Sequence, residues 1–227
     1  MVDAQVDIPR PSLARLPAYL RRLIQAIELG ESVISSQALG EAAGVPAAQV
    51  RKDLSHLGEL GRAGIGYEVE HLASVLHGFL GLGRAKRAVV VGAGNLGRAL
   101  AAYPGFARYG LRIVALSDVD PAKIGRRESG REVYALDRLP EVVRQESVDM
   151  GILTVPADQA QDVADLMIEA GIEVIWNFAP QALQVPDHVF LQYEDLAARL
   201  AIISYHIARR AEPESISNGR GESSLPA

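Results

Sequence analysis

Cysteine is absent from the sequence. This absence excludes disulfides, thiolate metal sites and a cysteine nucleophile, and it is consistent with a cytoplasmic protein. The first residues, MVDAQVDIPRP, carry acidic side chains and lack the apolar core of a secretory signal, and no uncharged run is long enough to cross a bilayer. We therefore expect a cytoplasmic chain without a membrane segment.

An overall excess of basic charge is also absent, because the net charge is −5. A strongly basic total would have indicated a nucleic-acid-binding protein. The distribution is uneven, however: residues 10–62 hold seven basic and five acidic side chains, and the remainder of the chain is acidic. The first third of the chain is therefore weakly basic. The length of 227 residues suffices for one large domain or two modest ones.

The first third of the chain has the pattern of a winged helix. Apolar residues recur at helical spacing up to Gly30, Ser35 or Ser36 can cap a short second helix that ends at Gly44, and residues 45–60 form a third helical pattern. Residues 62–72, RAGIGYEVEHL, have the glycines and the alternation of a tight two-stranded hairpin. Three helices followed by a hairpin predict a winged-helix domain whose second and third helices form a helix-turn-helix.

The third helix has a polar face with the chemistry of DNA recognition. Val50, Leu54 and Leu57 share one apolar face. The other side carries small, polar and basic residues: Ala48, Gln49, Arg51, Lys52, Ser55 and His56. We consider all of these except Ala48 to be DNA-binding candidates. Such groups can contact base edges and phosphates in a major groove. An ordinary solvated helix face is the alternative. The short preceding helix, the glycine turn and the following hairpin with Arg62 favour DNA.

Residues 89–100, VVVGAGNLGRAL, have the pattern of a dinucleotide-binding turn. Three valines form a strand, Gly92, Gly94 and Gly97 give G-x-G-x-x-G, and a helix follows. A second strand ends in Asp118, whose carboxylate can bind a ribose 2′-OH and repel a 2′-phosphate. The sequence therefore predicts a Rossmann-like domain that prefers NADH and NAD⁺ to their phosphorylated forms.

Further strands and helices alternate after Asp118. Helices are expected over 136–143 and 157–170, and strands around DMGILTVPA and IEVIWNFAP. Thr154, Pro156 and Asn177 follow the carboxyl ends of these strands, where open α/β sheets bind ligands. We consider them cofactor-binding candidates, with plain turn chemistry as the alternative.

No set of residues indicates catalysis or a metal. A dehydrogenase needs a proton donor or acceptor beside the hydride path, and none of the five histidines lies in such a setting. No group of His, Asp and Glu has the spacing of metal ligands. Because little chain is left for a substrate domain, we expect the dinucleotide to be sensed and not consumed.

The end of the chain predicts a dimerisation helix and a tail. Leu196, Leu200, Ile203 and Ile207 form an apolar stripe on a helix over 194–212. Its partner is a second subunit or its own domain, and a reader of a palindromic site needs a dimer. The polar residues 213–227 are expected to be disordered. The predicted domains are 1–82 (winged helix), 83–193 (Rossmann-like) and 194–212 (helix).

Several motifs together resemble one family. QVRKDLS, GIGY, VVGAGNLGRAL, YPGF, DVDP-x-KIG, LTVPA, NFAP and ISYHI occur in the order and spacing of the Rex family of redox-sensing transcriptional repressors, over residues 12–210. The resemblance implies a cytoplasmic homodimer that exchanges its terminal helix between subunits, binds palindromic double-stranded operators, holds NAD(H) and leaves DNA when NADH binds. It implies no enzymatic activity.

The resemblance also implies roles for individual residues. Arg51, Lys52 and Ser55 would contact DNA, with Arg62 near the minor groove. The pyrophosphate turn would be Gly92, Ala93, Gly94, Asn95, Leu96 and Gly97, with Asp118 on the adenosine ribose. Arg21, Tyr103 and Asp195 match residues that couple the two domains, with Tyr103 near the cofactor. The sequence departs from the family in the wing, where Arg62-Ala63 replaces two basic residues.

Two other functions stay open at this stage. One is an NAD-dependent oxidoreductase with an N-terminal interaction domain. The other is a regulator that responds to coenzyme A or another nucleotide, because similar strand ends occur in CoA-binding domains. Asp118 argues against the phosphorylated ribose of coenzyme A.

Overall fold

The computed structural model describes residues 8–211, without the side chains of residues 196, 199, 210 and 211. The chain divides into two compact units, Met1–Ala85 and Lys86–Ala227. The predicted tail, residues 213–227, lies outside the described residues, and the finer division of the second unit stays a prediction.

The elements follow one another in the order of a helical first unit and an alternating α/β second unit. The helices are α1 (Arg10–Glu28), α2 (Ser36–Ala43), α3 (Ala47–Ser55), α4 (Val69–Phe79), α5 (Asn95–Ala102), α6 (Leu139–Gln145), α7 (Ala160–Glu169) and α8 (Leu196–Ala211). The strands are β1 (Val33–Ile34), β2 (Gly61–Arg62), β3 (Gly66–Glu68), β4 (Lys86–Val91), β5 (Leu111–Asp118), β6 (Arg127–Glu128), β7 (Arg131–Ala135), β8 (Met150–Leu153), β9 (Val174–Asn177) and β10 (Phe190–Tyr193). Short 3₁₀ turns span Pro104–Tyr109, Leu136–Arg138 and Ala157–Gln159.

The first unit is a winged helix, as the sequence predicts. The apolar face of α1 packs against α2 and α4, and its residues Leu16, Tyr19 and Leu23 are fully buried. The β2–β3 hairpin forms the wing, and β1 pairs antiparallel with β3 to complete a three-stranded sheet. The Ser35 hydroxyl caps α2 by accepting a hydrogen bond from the Ala38 N–H at 3.1 Å.

Two predicted boundaries in this unit are wrong. Helix α3 ends at Ser55 instead of continuing to residue 60, and Gly58 beyond it adopts a φ of +106°, which turns the chain toward the wing. The extended tail expected at the end of the hairpin is helical from Val69, because Val69, Leu72 and Leu76 form the buried face of α4. Four residues of alternating pattern do not distinguish a strand from the first turn of a helix.

The second unit contains a seven-stranded sheet in the order β10-β9-β8-β4-β5-β7-β6. All pairs are parallel except β6 with β7. Numbered along the chain, the six parallel strands follow the 3-2-1-4-5-6 order of dinucleotide-binding sheets. The order reverses between β4 and β8, so a ligand crevice is expected at the carboxyl ends of these two strands.

Helices cover both faces of this sheet. Residues Ala88–Val91 of β4 are buried on both sides: Val89 and Val91 pack in a cluster with α6 and α7, and Ala88 and Val90 pack in a cluster with α5. A continuous apolar run is the expected signature of a central parallel strand. The three strands that the sequence did not indicate, β6, β7 and β10, lie at the two edges of the sheet, where charged and exposed residues interrupt the pattern.

The terminal helix α8 exposes its apolar stripe in the single chain. Leu200, Ile203 and Ile207 are 59%, 53% and 62% exposed. The Leu196 side chain is not among those that the structure describes. These three residues therefore do not pack on their own subunit. Over residues 8–211, no helix is at once long and apolar enough to cross a membrane.

Candidate nucleotide pocket and DNA-facing surface

The glycine-rich turn lies at the carboxyl end of β4, beside β8. Gly92 adopts a φ of +103°, and a Cβ there would lie 2.6 Å from the Thr154 carbonyl oxygen. A Cβ at Gly97 would lie 2.0 Å from the Gly92 carbonyl oxygen, whereas a Cβ at Gly94 would meet nothing within 4 Å. The outer glycines are therefore required by the protein's own packing, and Gly94 leaves open space that a pyrophosphate can approach.

The N-terminus of α5 follows this turn directly. Asn95 and Leu96 are exposed in its first turn, and no side chain in the described part of the chain caps it. The first N–H groups of a helix have no intrahelical acceptors, and the helix dipole adds positive potential there. The turn and α5 together therefore form a site that suits a phosphate group.

Asp118 ends β5 at the edge of the same crevice and is 8% exposed. Its carboxylate accepts hydrogen bonds from the Ala93 N–H (2.7 Å), the Asp120 N–H (2.9 Å) and the Lys123 ammonium (2.9 Å). Burial alone would raise its pKa, but these donors outweigh burial and hold the pKa of Asp118 below its ordinary value. The carboxylate is therefore charged at neutral pH and also fixes the glycine-rich turn through Ala93.

A pocket of about 320 Å³ opens between these elements. Its polar rim includes the glycine-rich turn, Asp118 and Lys123, and its apolar wall comes from Val91, Val119, Leu136, Val155 and Val163. This volume is at the lower end of the range for small-molecule sites and suits part of a dinucleotide, such as an adenosine. The residues present therefore fit NAD(H), because the lining combines charged groups with an apolar surface.

Of the strand-exit candidates, Thr154 and Pro156 line this pocket and Asn177 does not. The Thr154 hydroxyl donates to the Gly92 carbonyl at 2.8 Å, so it holds the glycine-rich turn against β8. Asn177 is fully buried: its amide N–H donates to the Gln181 carbonyl (3.0 Å) and its Oδ1 accepts from the Ala179 N–H (2.8 Å). The buried amide of Asn177 thus shapes the turn after β9. This matches the alternative to cofactor binding, which is plain turn chemistry.

Some of the candidate DNA-binding side chains are exposed, and others are partly buried or bonded within the protein. Arg51, Lys52 and Ser55 are exposed on α3, whose other face is buried through Val50 and Leu54. The Arg51 guanidinium donates to the Ser36 hydroxyl at 3.1 Å, which joins it to the first residue of α2. Arg51 and Ser55, with Arg62 of the wing, line an open groove of about 820 Å³, whereas Lys52 lies outside its lining. The groove joins the helix-turn-helix and the wing in one continuous surface.

Gln49 and His56 are less available than the other candidates. Gln49 is half-buried, and its amide donates to the Asp53 carboxylate at 2.8 Å. His56 follows α3 as its C-terminal cap, and its buried Nε2 makes no hydrogen bond to any described residue. Wheel geometry placed both on the polar face and did not indicate that Gln49 bonds inward or that His56 Nε2 is buried.

The residues matched to domain coupling lie in both units. Arg21 is exposed on α1 of the first unit, and Tyr103 and Asp195 belong to the second unit. Tyr103 follows α5 as its C-terminal cap, with 57% of its surface exposed. Its ring packs edge to face on the Phe106 ring, with 5.1 Å between the ring centroids. Asp195 accepts a hydrogen bond from the Ala198 N–H at 2.8 Å in the first turn of α8. Across residues 8–211, no group of three His, Asp or Glu side chains is placed to hold a metal ion.

Comparisons with known proteins identify the family. A model described as "Putative DNA-binding protein N-terminus" matches residues 7–55, and a model described as "CoA binding domain" matches residues 84–181. The redox-sensing transcriptional repressor Rex of Chloroflexus aggregans is 46% identical over 204 residues, which span 90% of this chain and 96% of that protein. The chain belongs to the Rex family. The Streptomyces coelicolor Rex is 42% identical over 93% of this chain and 82% of its own.

Solved Rex structures agree with this fold. The Rex-family repressor RSP, in complex with β-NAD⁺ and operator DNA, superposes with a TM-score of 0.84 at 36% identity, covering 91% of this chain and 95% of that chain. Its complex with β-NADH gives a TM-score of 0.81 at 35% identity, covering 89% and 95%. The family assignment and the α/β architecture expected from the motifs are therefore confirmed.

Proposed function

We propose that this chain is a cytoplasmic transcriptional repressor that binds palindromic operator DNA as a homodimer and is released from DNA when NADH binds. One observation carries the proposal: a single Rex-family chain joins an exposed basic recognition helix and wing to a nucleotide pocket at the switch point of a Rossmann-type sheet. NADH binding would change how much of the operator DNA is bound by the protein, and no substrate would be converted.

In the nucleotide site, the backbone of the glycine-rich turn (Gly92, Ala93, Gly94, Asn95, Leu96 and Gly97) and the start of α5 bind the pyrophosphate. Asp118 accepts the ribose hydroxyl and repels a 2′-phosphate, which favours NAD(H) over NADP(H). Thr154 holds the turn in place, and Pro156 forms part of the pocket wall. The pocket geometry and the charge of Asp118 support these roles.

In the DNA site, α3 enters the major groove with Arg51, Lys52 and Ser55, and Arg62 of the wing lies near the minor groove. All four side chains are exposed, and Arg51, Ser55 and Arg62 line one groove, which supports this assignment. A dimer presents two copies of α3 to half-sites separated by one helical turn or a multiple of it, about 34–36 Å. The exposed stripe of α8 provides an apolar surface for that dimer.

Redox sensing requires that the chain bind NADH more tightly in a state that does not fit the operator. The cofactor supplies the signal, because reduction adds a hydride and removes the positive charge of the nicotinamide ring. An apolar surrounding favours the uncharged ring, since burying an unpaired charge is costly. A switch from 1:99 to 99:1 needs a differential affinity of about 5.5 kcal/mol, and DNA must oppose NADH binding by the same coupling free energy. Arg21, Tyr103 and Asp195 are proposed to couple the two units.

The direct test is fluorescence anisotropy of a labelled inverted-repeat duplex, selected from a random pool by the protein itself, with NADH and NAD⁺ titrated separately at fixed salt. We expect NADH to release the duplex at concentrations where NAD⁺ has little effect. Binding that ignores both nucleotides would overturn the redox-sensing proposal. Failure to select any duplex, together with turnover of a carbonyl substrate by NADH, would establish an oxidoreductase instead.

A further inference from the structure

The recognition helix α3 contains an acidic residue, Asp53, between Lys52 and Leu54. Its side chain is 0% exposed, whereas Lys52 is exposed on the side proposed to meet DNA. A buried carboxylate is costly unless hydrogen bonds and a countercharge compensate for the loss of water. The partners of Asp53 therefore decide what this residue does.

Four donor atoms bind the two oxygens of Asp53. The Arg15 guanidinium donates through Nε to Oδ2 at 2.6 Å and through a terminal nitrogen to Oδ1 at 2.7 Å, which is a two-point contact. The Tyr19 hydroxyl donates to Oδ2 at 2.7 Å, and the Gln49 amide donates to Oδ1 at 2.8 Å. Burial opposes the charged form, but these bonds outweigh it and hold the pKa of Asp53 well below its ordinary value.

This cluster of Arg15, Tyr19, Gln49 and Asp53 joins α1 to the last turn of α3. The apolar contacts of Val50 and Leu54 hold α3 against the core without fixing its rotation or its position along its own axis, because such contacts are non-directional. A planar guanidinium that meets a carboxylate at two points fixes both. The same pairing neutralises the acidic charge on a helix whose neighbouring side chains are proposed to face phosphates.

We propose that Arg15, Tyr19, Gln49 and Asp53 form a positioning cluster that sets the orientation of the recognition helix for specific operator binding. The inference rests on the proposed function and extends it to residues that face away from DNA. It also assigns Gln49 to this cluster, so Gln49 orients α3 and does not read a base. Arg15, Tyr19, Gln49 and Asp53 are thus positioning residues that act through Arg51, Lys52 and Ser55.

The test compares the wild-type protein with Asp53→Asn. Removing an acidic charge from a DNA-binding helix strengthens binding to a polyanion if charge alone matters. The positioning role predicts the opposite for the selected operator: a loss of about 10- to 100-fold, the equivalent of one or two well-placed base contacts. Affinity for a scrambled duplex should stay constant or rise, and affinity for NADH should stay constant.

The matched control is Glu31→Gln. Glu31 pairs with Arg22 of α1 at 3.0 Å in the same unit, but this pair does not include α3. Glu31→Gln should retain the ratio of operator to scrambled-duplex affinity. Equal losses of this ratio in Glu31→Gln and Asp53→Asn would mean that any damage to the unit lowers specificity, and would overturn the inference.

A triple variant covers the case in which Asp53→Asn unfolds the unit. Arg15→Met and Asp53→Leu replace the ion pair by apolar side chains, which is often neutral or stabilising for folding. Tyr19→Phe is added because the buried Tyr19 hydroxyl donates to Asp53 and would otherwise lose its acceptor. We expect this triple variant to melt near the wild type and still to lose operator preference. Retention of the wild-type ratio of operator to scrambled-duplex affinity by the folded triple variant would overturn the inference.

The assignment of Gln49 has its own test. A positioning role predicts that Gln49→Ala weakens binding to the selected operator without changing the base preferred at any single position, measured by repeating the duplex selection. Relaxed preference at one base pair would show that Gln49 reads DNA and would overturn its assignment. Failure of the wild-type protein to bind any duplex would instead refute the proposed function, so the two failures are distinguishable.

Discussion

The Lys123 ammonium lies 2.9 Å from the Asp118 carboxylate at the rim of the nucleotide pocket. The acid that is proposed to bind a ribose hydroxyl thus has a cation beside it. The same ammonium lies 3.8 Å from the Asp120 carboxylate. Asp118 makes a 2′-phosphate unfavourable, whereas Lys123 alone would attract one. We therefore expect selectivity for NADH over NADPH to depend on the charge of Asp118 more than on the shape of the pocket.

Asp118→Asn should lower NADH affinity about tenfold or more and raise the relative affinity for NADPH. The amide cannot accept all three hydrogen bonds, and it leaves Lys123 free to meet a 2′-phosphate; one hydrogen bond to a charged group is worth about 1.5–3 kcal/mol. Fluorescence titration with both nucleotides measures the ratio. Glu141→Gln, which breaks the exposed Arg138–Glu141 pair, is the control and should leave it unchanged. An unaltered ratio in Asp118→Asn would contradict the prediction.

The glycines of the turn allow a test that separates folding from binding. Gly94→Ala should fold normally, because a Cβ there meets nothing within 4 Å, yet it should abolish tight NADH binding by occupying the space of the pyrophosphate. Gly97→Ala should lower the melting temperature as well, because its Cβ would lie 2.0 Å from the Gly92 carbonyl oxygen. Thermal melts with and without NADH check both. Wild-type affinity in Gly94→Ala would place the pyrophosphate elsewhere.

The fold was largely predictable where the signal is local. The strand before Gly92, the helix after it and the capped helix α2 follow from residues that are neighbours in sequence. Strand β10 was not predictable, because an exposed edge strand has little need for an apolar pattern. The start of α4 was missed because its first turn also alternates polar and apolar residues.

The candidate site was predictable only as far as its backbone motif. The glycines and Asp118 follow from the chemistry of a Rossmann turn, but the ion pair of Asp118 with Lys123 depends on the loop between them. Arg15 and Asp53 are 38 residues apart and meet only in the folded unit. A helical wheel therefore identified the polar face of α3 and gave no sign that Gln49 bonds inward.

The wing offers a gain-of-function prediction. Arg62 is followed by Ala63, an exposed residue at the position where the Rex resemblance places a second basic side chain. Ala63→Lys should strengthen operator binding and steepen the slope of log affinity against log salt by about 0.9, the effect of one more phosphate contact. Ala63→Gln adds a similar side chain without charge and should leave the slope unchanged. A slope that does not respond to Ala63→Lys would place this residue away from the phosphate backbone.

The stability of the first unit should depend on acid pH through Asp53. Its pKa is lower in the folded state than the unfolded value of about 3.9, so its contribution is fully present above that value and is lost as the pH falls through the folded pKa. At pH 7 the variant Asp53→Asn should be less stable by about 3 kcal/mol, the low end for a broken buried pair, because Arg15 is 22% exposed. In denaturant titrations, the difference between the two proteins should begin to shrink below about pH 4 and should continue to shrink as the pH falls toward the folded pKa of Asp53. A difference in unfolding free energy that is independent of pH would mean that the shape of the Asp53 side chain, and not its charge, stabilises the unit.

The apolar stripe of α8 makes dimerisation testable by one substitution. Ile203→Asp places a charge among Leu200, Ile203 and Ile207, which are all more than half exposed in the single chain. We expect the variant to sediment as a monomer in analytical ultracentrifugation, because a buried unpaired carboxylate is costly. Loss of the second half-site contact should then weaken operator binding by about 100-fold or more. Ala201→Asp places the same charge on the opposite face of α8 and should remain dimeric. Dissociation by both substitutions would show that the helix as a whole, and not this stripe, holds the subunits together.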